Sequence, residues 1–136
     1  MTTAAQVGQD NVALIKRGYE AFGAGDMATL SGLYHPDAVF SSWPHGAAEG
    51  NYRGRDAIFA FFAELFTESK GTFKVVPMTI AAADDRVFVL QDVAGERNGY
   101  ALRDNSVMVF TLADGLVTEM REFYVPGTGA EAFWSA

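Results

Sequence analysis

The stretch YALRDNSVMVFTLADGLVTEMREFYV, residues 100–125, decides how the chain is read. Apolar residues recur in it with a period near 2, and Ala113-Asp114-Gly115 interrupts the repeat with turn chemistry. Two strands, Tyr100–Leu112 and Leu116–Val125, follow from that pattern. Upstream, Thr72–Ile80 and Arg86–Ala94 share the β-branched and aromatic character, and Asp84-Asp85 and Gly95–Gly99 supply further turns. The second half of the chain therefore predicts a four-stranded meander.

The first half has a different period. Val12, Ile15, Tyr19 and Phe22 fall on one stripe of a helix over Asn11–Phe22, with Leu14 and Ala21 beside it, and Gly23 and Gly25 end it. Asp26 is a good N-cap for a second, short helix carrying Met27, Leu30, Leu33 and Tyr34, which Pro36 closes. Ala38–Trp43 reads as a short strand and Pro44–Arg53 as a loop. Asp56–Thr67 predicts a third helix that buries Ile58, Phe61, Phe62, Leu65 and Phe66, with Phe59 widening its apolar face. Three helices followed by a largely antiparallel sheet make an α+β fold, with helices on one side of the sheet. The chain is expected to form one domain over residues 1–136, with residues 1–10 as a flexible N-terminal tail.

Composition narrows the partners. Of 136 residues, 49 % are apolar and eleven are Phe, enough for a core and a lined cavity. A formal charge of −7 argues against nucleic acid or an anionic membrane as partner. With no Cys, disulfides, thiol catalysis and Cys-ligated metals drop out together, and two isolated His residues make no metal signature. The start lacks the pattern of a signal peptide, and no apolar run approaches the ~18 residues of a membrane span. The cytoplasm is the expected location, and no cofactor is expected.

Strict alternation along Leu116–Val125 puts Val117, Glu119, Arg121 and Phe123 on one face and Thr118, Met120, Glu122 and Tyr124 on the other. The first is the expected outer face, too apolar for simple exposure, and predicts a homodimer through the sheet. The second places the Glu122 carboxyl between Met120 and Tyr124, where desolvation raises its pKa and suits it to proton transfer. The alternative is a structural ion pair with Arg53 or Arg103. Asp104 shares a face with Leu102, Ser106, Met108 and Phe110. If that face is inward, Asp104 and Glu122 line one cavity and divide acid and base roles. The Arg103-Asp104-Asn105 run reads equally as a bulge or an exposed strand start. His45, on the loop after Trp43, is a candidate proton shuttle at the cavity mouth or a surface residue, and His35 reads as turn punctuation. Tyr19 and Tyr34 either offer hydroxyls to the pocket or are ordinary core tyrosines. Trp43, Phe62, Met108, Met120 and Tyr124 are the expected pocket lining.

The order of a helix, an Ala24-Gly25-Asp26 turn, a short helix, HPDAVF, the YRGRDAI helix entry and a meander ending DGLVTEMREFYVP resembles the nuclear transport factor 2-like superfamily. Within it the chain is similar to the SnoaL-like polyketide cyclase and ketosteroid isomerase-like branch, from Val12 to Pro126. The resemblance implies a cone-shaped fold whose curved sheet wraps a hydrophobic cavity, commonly as a dimer through the sheet. The ending Arg121-Glu122-Phe123 with Pro126 resembles the phenazine biosynthesis A/B proteins, whose acid/base Glu falls on Glu122. The last strand also resembles the limonene epoxide hydrolases, whose catalytic Asp falls there too. Their second Arg and Asp have no match in Leu90–Gly95. The isomerases' base Asp falls on Ser42 and their helix-one Tyr on Gly18, one place from Tyr19. The expectation is an acid/base enzyme of secondary or small-molecule metabolism acting on a small hydrophobic substrate by cyclisation, isomerisation, dehydration or condensation. Glu122 would carry the proton, assisted by some of Asp104, Tyr19, Tyr124 and His45. The competing expectation is a non-catalytic protein that holds a hydrophobic ligand.

Overall fold

Thr3-Ala4-Ala5-Gln6 has the spacing of a helix-start box, and the Thr3 hydroxyl accepts the Gln6 N–H at 3.0 Å. In the computed structural model, which describes residues 3–43, 52–124 and 133 without the Trp43 side chain, helix α1 therefore spans Ala4–Gly23. The expected flexible tail is corrected: residues 4–10 are helical, because a cap at Thr3 extends the helix beyond its apolar stripe. Asp26 caps α2, Met27–Ser31, accepting the Thr29 N–H at 3.1 Å as its residue type predicts. This helix is shorter than expected. Strand β1 already begins at Tyr34 and runs to Trp43, passing through Pro36. The proline is accommodated because the pairing of β1 with its neighbour β6 is irregular between Tyr34 and Val39.

Strand β2, Tyr52–Arg53, leads into α3, Arg55–Glu68, which buries Ile58, Phe62 and Leu65. The Arg55 guanidinium donates to the carbonyls of Ser31 and Tyr34 and ties the start of α3 to the end of α2 and the head of β1. Four strands follow as expected: β3 Lys74–Ala83, β4 Arg86–Arg97, β5 Tyr100–Ala113 and β6 Leu116–Tyr124. Two-residue turns join them. Asn98-Gly99 and Asp114-Gly115 both take positive φ, the geometry that closes a hairpin without splaying its strands. Gly95 lies within β4 rather than in a turn, where Phe73 packs so closely that an added Cβ would meet the Phe73 Cα at 3.0 Å.

The sheet order is β2-β1-β6-β5-β4-β3, antiparallel except for the β1–β6 pair, which is parallel. Register shifts in β1/β6, β3/β4 and β5/β6 bend it. Helix α1 lies over β3 and β4, and α3 over β1 and β2, so the helices cover one face of the sheet. The structure is thus helices on a six-stranded mixed sheet that does not close, as the α+β reading anticipates.

One register shift overturns an expectation. Glu119 pairs with Thr111 and Val117 with Leu112, so Thr118 is an extra residue on β6. Alternation restarts across it. Met120, Glu122 and Tyr124 face inward as expected, but Val117, expected outside, is 1 % exposed. Val117→Ala is accordingly expected to cost about 2 kcal/mol in denaturant unfolding. A loss below about 0.5 kcal/mol, typical of an exposed site, would contradict the shift in phase.

Candidate active site

Three strands bring a small polar group into an otherwise apolar interior. On β4 the inward positions run Val87, Val89, Gln91, Val93, all buried, so Gln91 is the single polar residue in a valine row. Gln91 faces Ser106 across the β4–β5 ladder, and Met108, two residues along β5, faces Glu122 on β6. On the other side of β6, Ser42 of β1 sits in register with Glu122. The row signal in β4 would have exposed Gln91 to sequence reasoning. Ser106 shared a face with Asp104 but carried no role in that reading.

The hydrogen bonds fix the direction of every dipole. Tyr19 Oη of α1 donates to Gln91 Oε1 at 2.5 Å. Gln91 Nε2 donates to Ser106 Oγ at 2.9 Å and to Glu122 Oε2 at 3.1 Å. Ser106 Oγ donates to the same Glu122 oxygen at 3.0 Å. With its carbonyl held by Tyr19, the Gln91 amide keeps its N–H groups aimed at the carboxyl. Glu122 Oε2 thus accepts two hydrogen bonds, from β4 and β5.

Burial decides the protonation of Glu122. The residue is 4 % exposed, and desolvation pushes its pKa from an ordinary 4.5 up to about 7. Hydrogen bonds from Ser106, Tyr124, Gln91 and Ser42 oppose the rise, in that order. Ser42 Oγ makes no well-formed hydrogen bond to a described residue, in keeping with its place at the end of that order. The ion-pair alternative is not what the structure shows: Arg53 and Arg103 are exposed, and no described Lys or Arg bridges to Glu122. Burial, with the Glu122 charge second, also raises the Tyr19 phenol above its ordinary value, so Tyr19 holds its proton and acts as a donor.

Above this group lies a cavity of about 70 Å³ between the sheet and helices α1 and α3. Its walls include Phe40, Phe61, Phe62, Met108, Phe110 and Met120, and Tyr19, Tyr34, Gln91 and Glu122 are the described lining residues with polar side-chain groups. No Lys, Arg or His is among its described lining residues. The volume is several times what one water needs, and below the ~300 Å³ typical of sites for drug-sized ligands.

The candidates named from sequence divide as follows. Glu122, Tyr19, Phe62, Met108 and Met120 meet at the cavity, with Tyr19 reaching Glu122 through Gln91 rather than directly. Tyr124 is inward but packs with Leu65, Phe73, Val93, Leu102 and Phe133 in a second cluster beside the cavity. Asp104 is half-buried on the inner face of β5, opposite Val93, four residues beyond the partner of Glu122. Its Oδ1 accepts the Asn105 N–H at 2.8 Å, and it is not part of the cavity wall. His45 and the Trp43 side chain lie outside the described residues. Among the described residues, no helix is long and apolar enough to cross a membrane, and no group of three or more His, Asp or Glu is placed to hold a metal ion.

An open mixed sheet with helices on one face is the frame of a known family. The chain belongs to the SnoaL-like domain family, which it matches over residues 15–120. It is 33 % identical over 115 residues to the steroid Delta-isomerase of Nocardioides simplex, covering 85 % of this chain and 89 % of that protein. Among solved structures it is similar to Bal32a from a soil-derived mobile gene cassette, with 33 % identity and a TM-score of 0.88 over 94 % of this chain and 98 % of the other. A proposed SnoaL-like polyketide cyclase from Jannaschia sp. CCS1 shares 26 % identity at a TM-score of 0.72, with 86 % of each chain covered.

The origin of the Glu122 shift is open to direct measurement. Ser106→Ala removes the strongest of the hydrogen bonds that favour the charged carboxylate. The Glu122 pKa is expected to climb above 7 in that variant, followed by carboxyl carbon NMR across a pH series. A fall would mean that Ser106 does not act as the donor.

Proposed function

We propose that the chain is a cofactor-independent acid/base enzyme of secondary or small-molecule metabolism, with Glu122 as proton carrier. The substrate is a small apolar molecule, and the reaction is an isomerisation, cyclisation, dehydration or condensation. One observation carries the reading: a carboxyl with a pKa of about 7 lies in the wall of an apolar cavity, held by a rigid hydrogen-bond network. Such a group gives and takes protons with near-equal ease at neutral pH, which is what shuttling a proton between two positions of a substrate requires. The similarity to a steroid Delta-isomerase supports proton transfer as the chemistry. By resemblance the isomerases' base falls on Ser42, and Ser42 is the register partner of Glu122 across β1–β6. A carboxylate is thus kept at nearly the same point, supplied by the neighbouring strand. Asp104 and His45 are assigned no step. Tyr19 positions Glu122 through Gln91.

Glu122→Gln keeps the shape and the hydrogen-bond acceptor for Gln91 and Ser106 but cannot transfer a proton. Turnover, assayed on small enolisable ketones and related apolar compounds, is expected to fall by ~100-fold or more while the fold persists. Activity retained at the wild-type level would remove Glu122 from the mechanism. The pH dependence of stability provides a second check. The folded pKa is raised, so between about 4.5 and 7 the folded state binds more protons than the unfolded state. Wild-type stability should therefore decline as pH rises through that window, by up to about 3 kcal/mol, and level off above it. Glu122→Gln should lack this decline in urea titrations at several pH values.

The outer face of the sheet supports a homodimer as the working form. Leu90, Val107 and Phe123 form a cross-strand row there and are 37–38 % exposed. Phe88 and Val109 extend it in the next row, and the Arg121 guanidinium lies over the Phe123 ring at 5.6 Å. An apolar patch of this kind, rimmed by charge, fits a second copy of itself. Light scattering is expected to give a dimer mass that Val107→Glu reduces to a monomer with the fold intact. A monomer mass for the wild type would end this part of the proposal.

A further inference from the structure

Tyr34 is the polar group of the cavity wall that the Glu122 network does not use. It is 5 % exposed, lines the cavity, and packs its ring edge-on against Phe59 at 5.4 Å between centroids. Its carbonyl is taken by Arg55, but its hydroxyl bonds to no described residue. The other donors at the cavity are committed. Tyr19 gives its proton to Gln91, Gln91 gives its N–H groups to Ser106 and Glu122, and Ser106 gives its own to Glu122. The Tyr34 O–H is the donor among the described lining residues that has no acceptor among the described residues.

Its position sets it apart from Glu122. Tyr34 pairs with Val117 at one end of the parallel β1–β6 ladder, and Ser42 pairs with Glu122 toward the other. The two backbone positions are roughly 15 Å apart along the strand. The side chains converge from there on one cavity whose walls between them are aromatic and aliphatic. Burial keeps the Tyr34 phenol protonated, so it offers a donor at any working pH. Among the described lining residues there is no cation to receive an anionic ligand, and the acid among them, Glu122, repels such a ligand once ionised.

We propose that the Tyr34 hydroxyl is the ligand-anchoring donor of this site. It seats one acceptor oxygen, a carbonyl or hydroxyl, of a compact neutral ring compound whose hydrocarbon body lies against the Phe walls and Glu122. The proposal rests on the reading of Glu122 and its cavity as the active site, and it adds the substrate class. A molecule of the same shape without the oxygen fills the same space but loses the bond to Tyr34 and with it the discrimination.

The test uses cyclohexanone and methylcyclohexane as probes of nearly equal shape, only one of which accepts a hydrogen bond. Binding is followed by the methyl NMR signals of Met108 and Met120 in the wild type, Tyr34→Phe and Glu122→Gln. Tyr34→Phe is expected to weaken cyclohexanone about 5-fold or more and to leave methylcyclohexane unchanged. Its melting temperature should be nearly unchanged, because no described residue bonds to that hydroxyl. Glu122→Gln should lose turnover yet bind cyclohexanone with the same dependence on Tyr34. Equal ketone affinity in wild type and Tyr34→Phe would overturn the anchoring role while leaving the Glu122 reading intact. A drop of several degrees in melting temperature would overturn it too, by showing that the hydroxyl is used within the protein. If neither probe moves the wild-type methionine signals, the shared cavity reading falls and the anchor with it.

Discussion

The desolvation of one carboxyl is the constraint around which the interior is arranged. An ionisable group cannot be taken out of water cheaply unless it neutralises or finds donors, and Glu122 does some of each. Its donors come from Gln91 on β4 and Ser106 on β5, and Gln91 is held in turn by Tyr19 on α1. Helix α1 must therefore lie over β3 and β4 for the network to be complete, and it does. Phe61 and Phe62 of α3 line the remaining side of the cavity. Polar and apolar parts of the interior depend on each other here, since a wetter cavity would return Glu122 to an ordinary carboxylate.

Much of this was legible in the chain because two periodicities carry it. The meander strands could be read from alternation and from Asp-Gly and Asn-Gly turns, and the inward direction of Glu122 from its neighbours Met120 and Tyr124. What escaped had local physical causes. The Thr118 bulge changes phase without any compositional mark, so Val117 was assigned to the wrong face. The cap at Thr3 lies in a segment with no apolar stripe, and its box signature alone announces a helix. Pro36 looked like a terminator, yet it sits where the β1–β6 ladder is irregular, so no hydrogen bond is lost there.

The site was half legible for a different reason. Acidic residues draw attention because their charge makes burial costly, and Glu122 was found that way. Gln91 and Ser106 are neutral and common, and their importance comes only from being cross-strand partners diagonal to Glu122. Such a relation between β4, β5 and β6 is a property of register, which one strand's sequence does not contain. Asp104 shows the converse: it shares the inward face of β5, but its distance along the strand separates it from the cavity.

The parallel pairing of β1 with β6 has a consequence for how the molecule comes into being. The antiparallel strands β3 to β6 are joined by tight turns and can zip together from local contacts. Strand β1, by contrast, must wait for β6, which follows the other described strands in the chain, and long-range parallel pairing of this kind forms slowly. Until it does, the flank of β6 that carries Glu122 is an open edge, and the carboxyl there is solvated and ionised like any other. The raised pKa of the residue is thus acquired late. A nascent or partly folded chain carries Glu122 as an ordinary carboxylate, and the raised pKa appears with the final closure of the sheet.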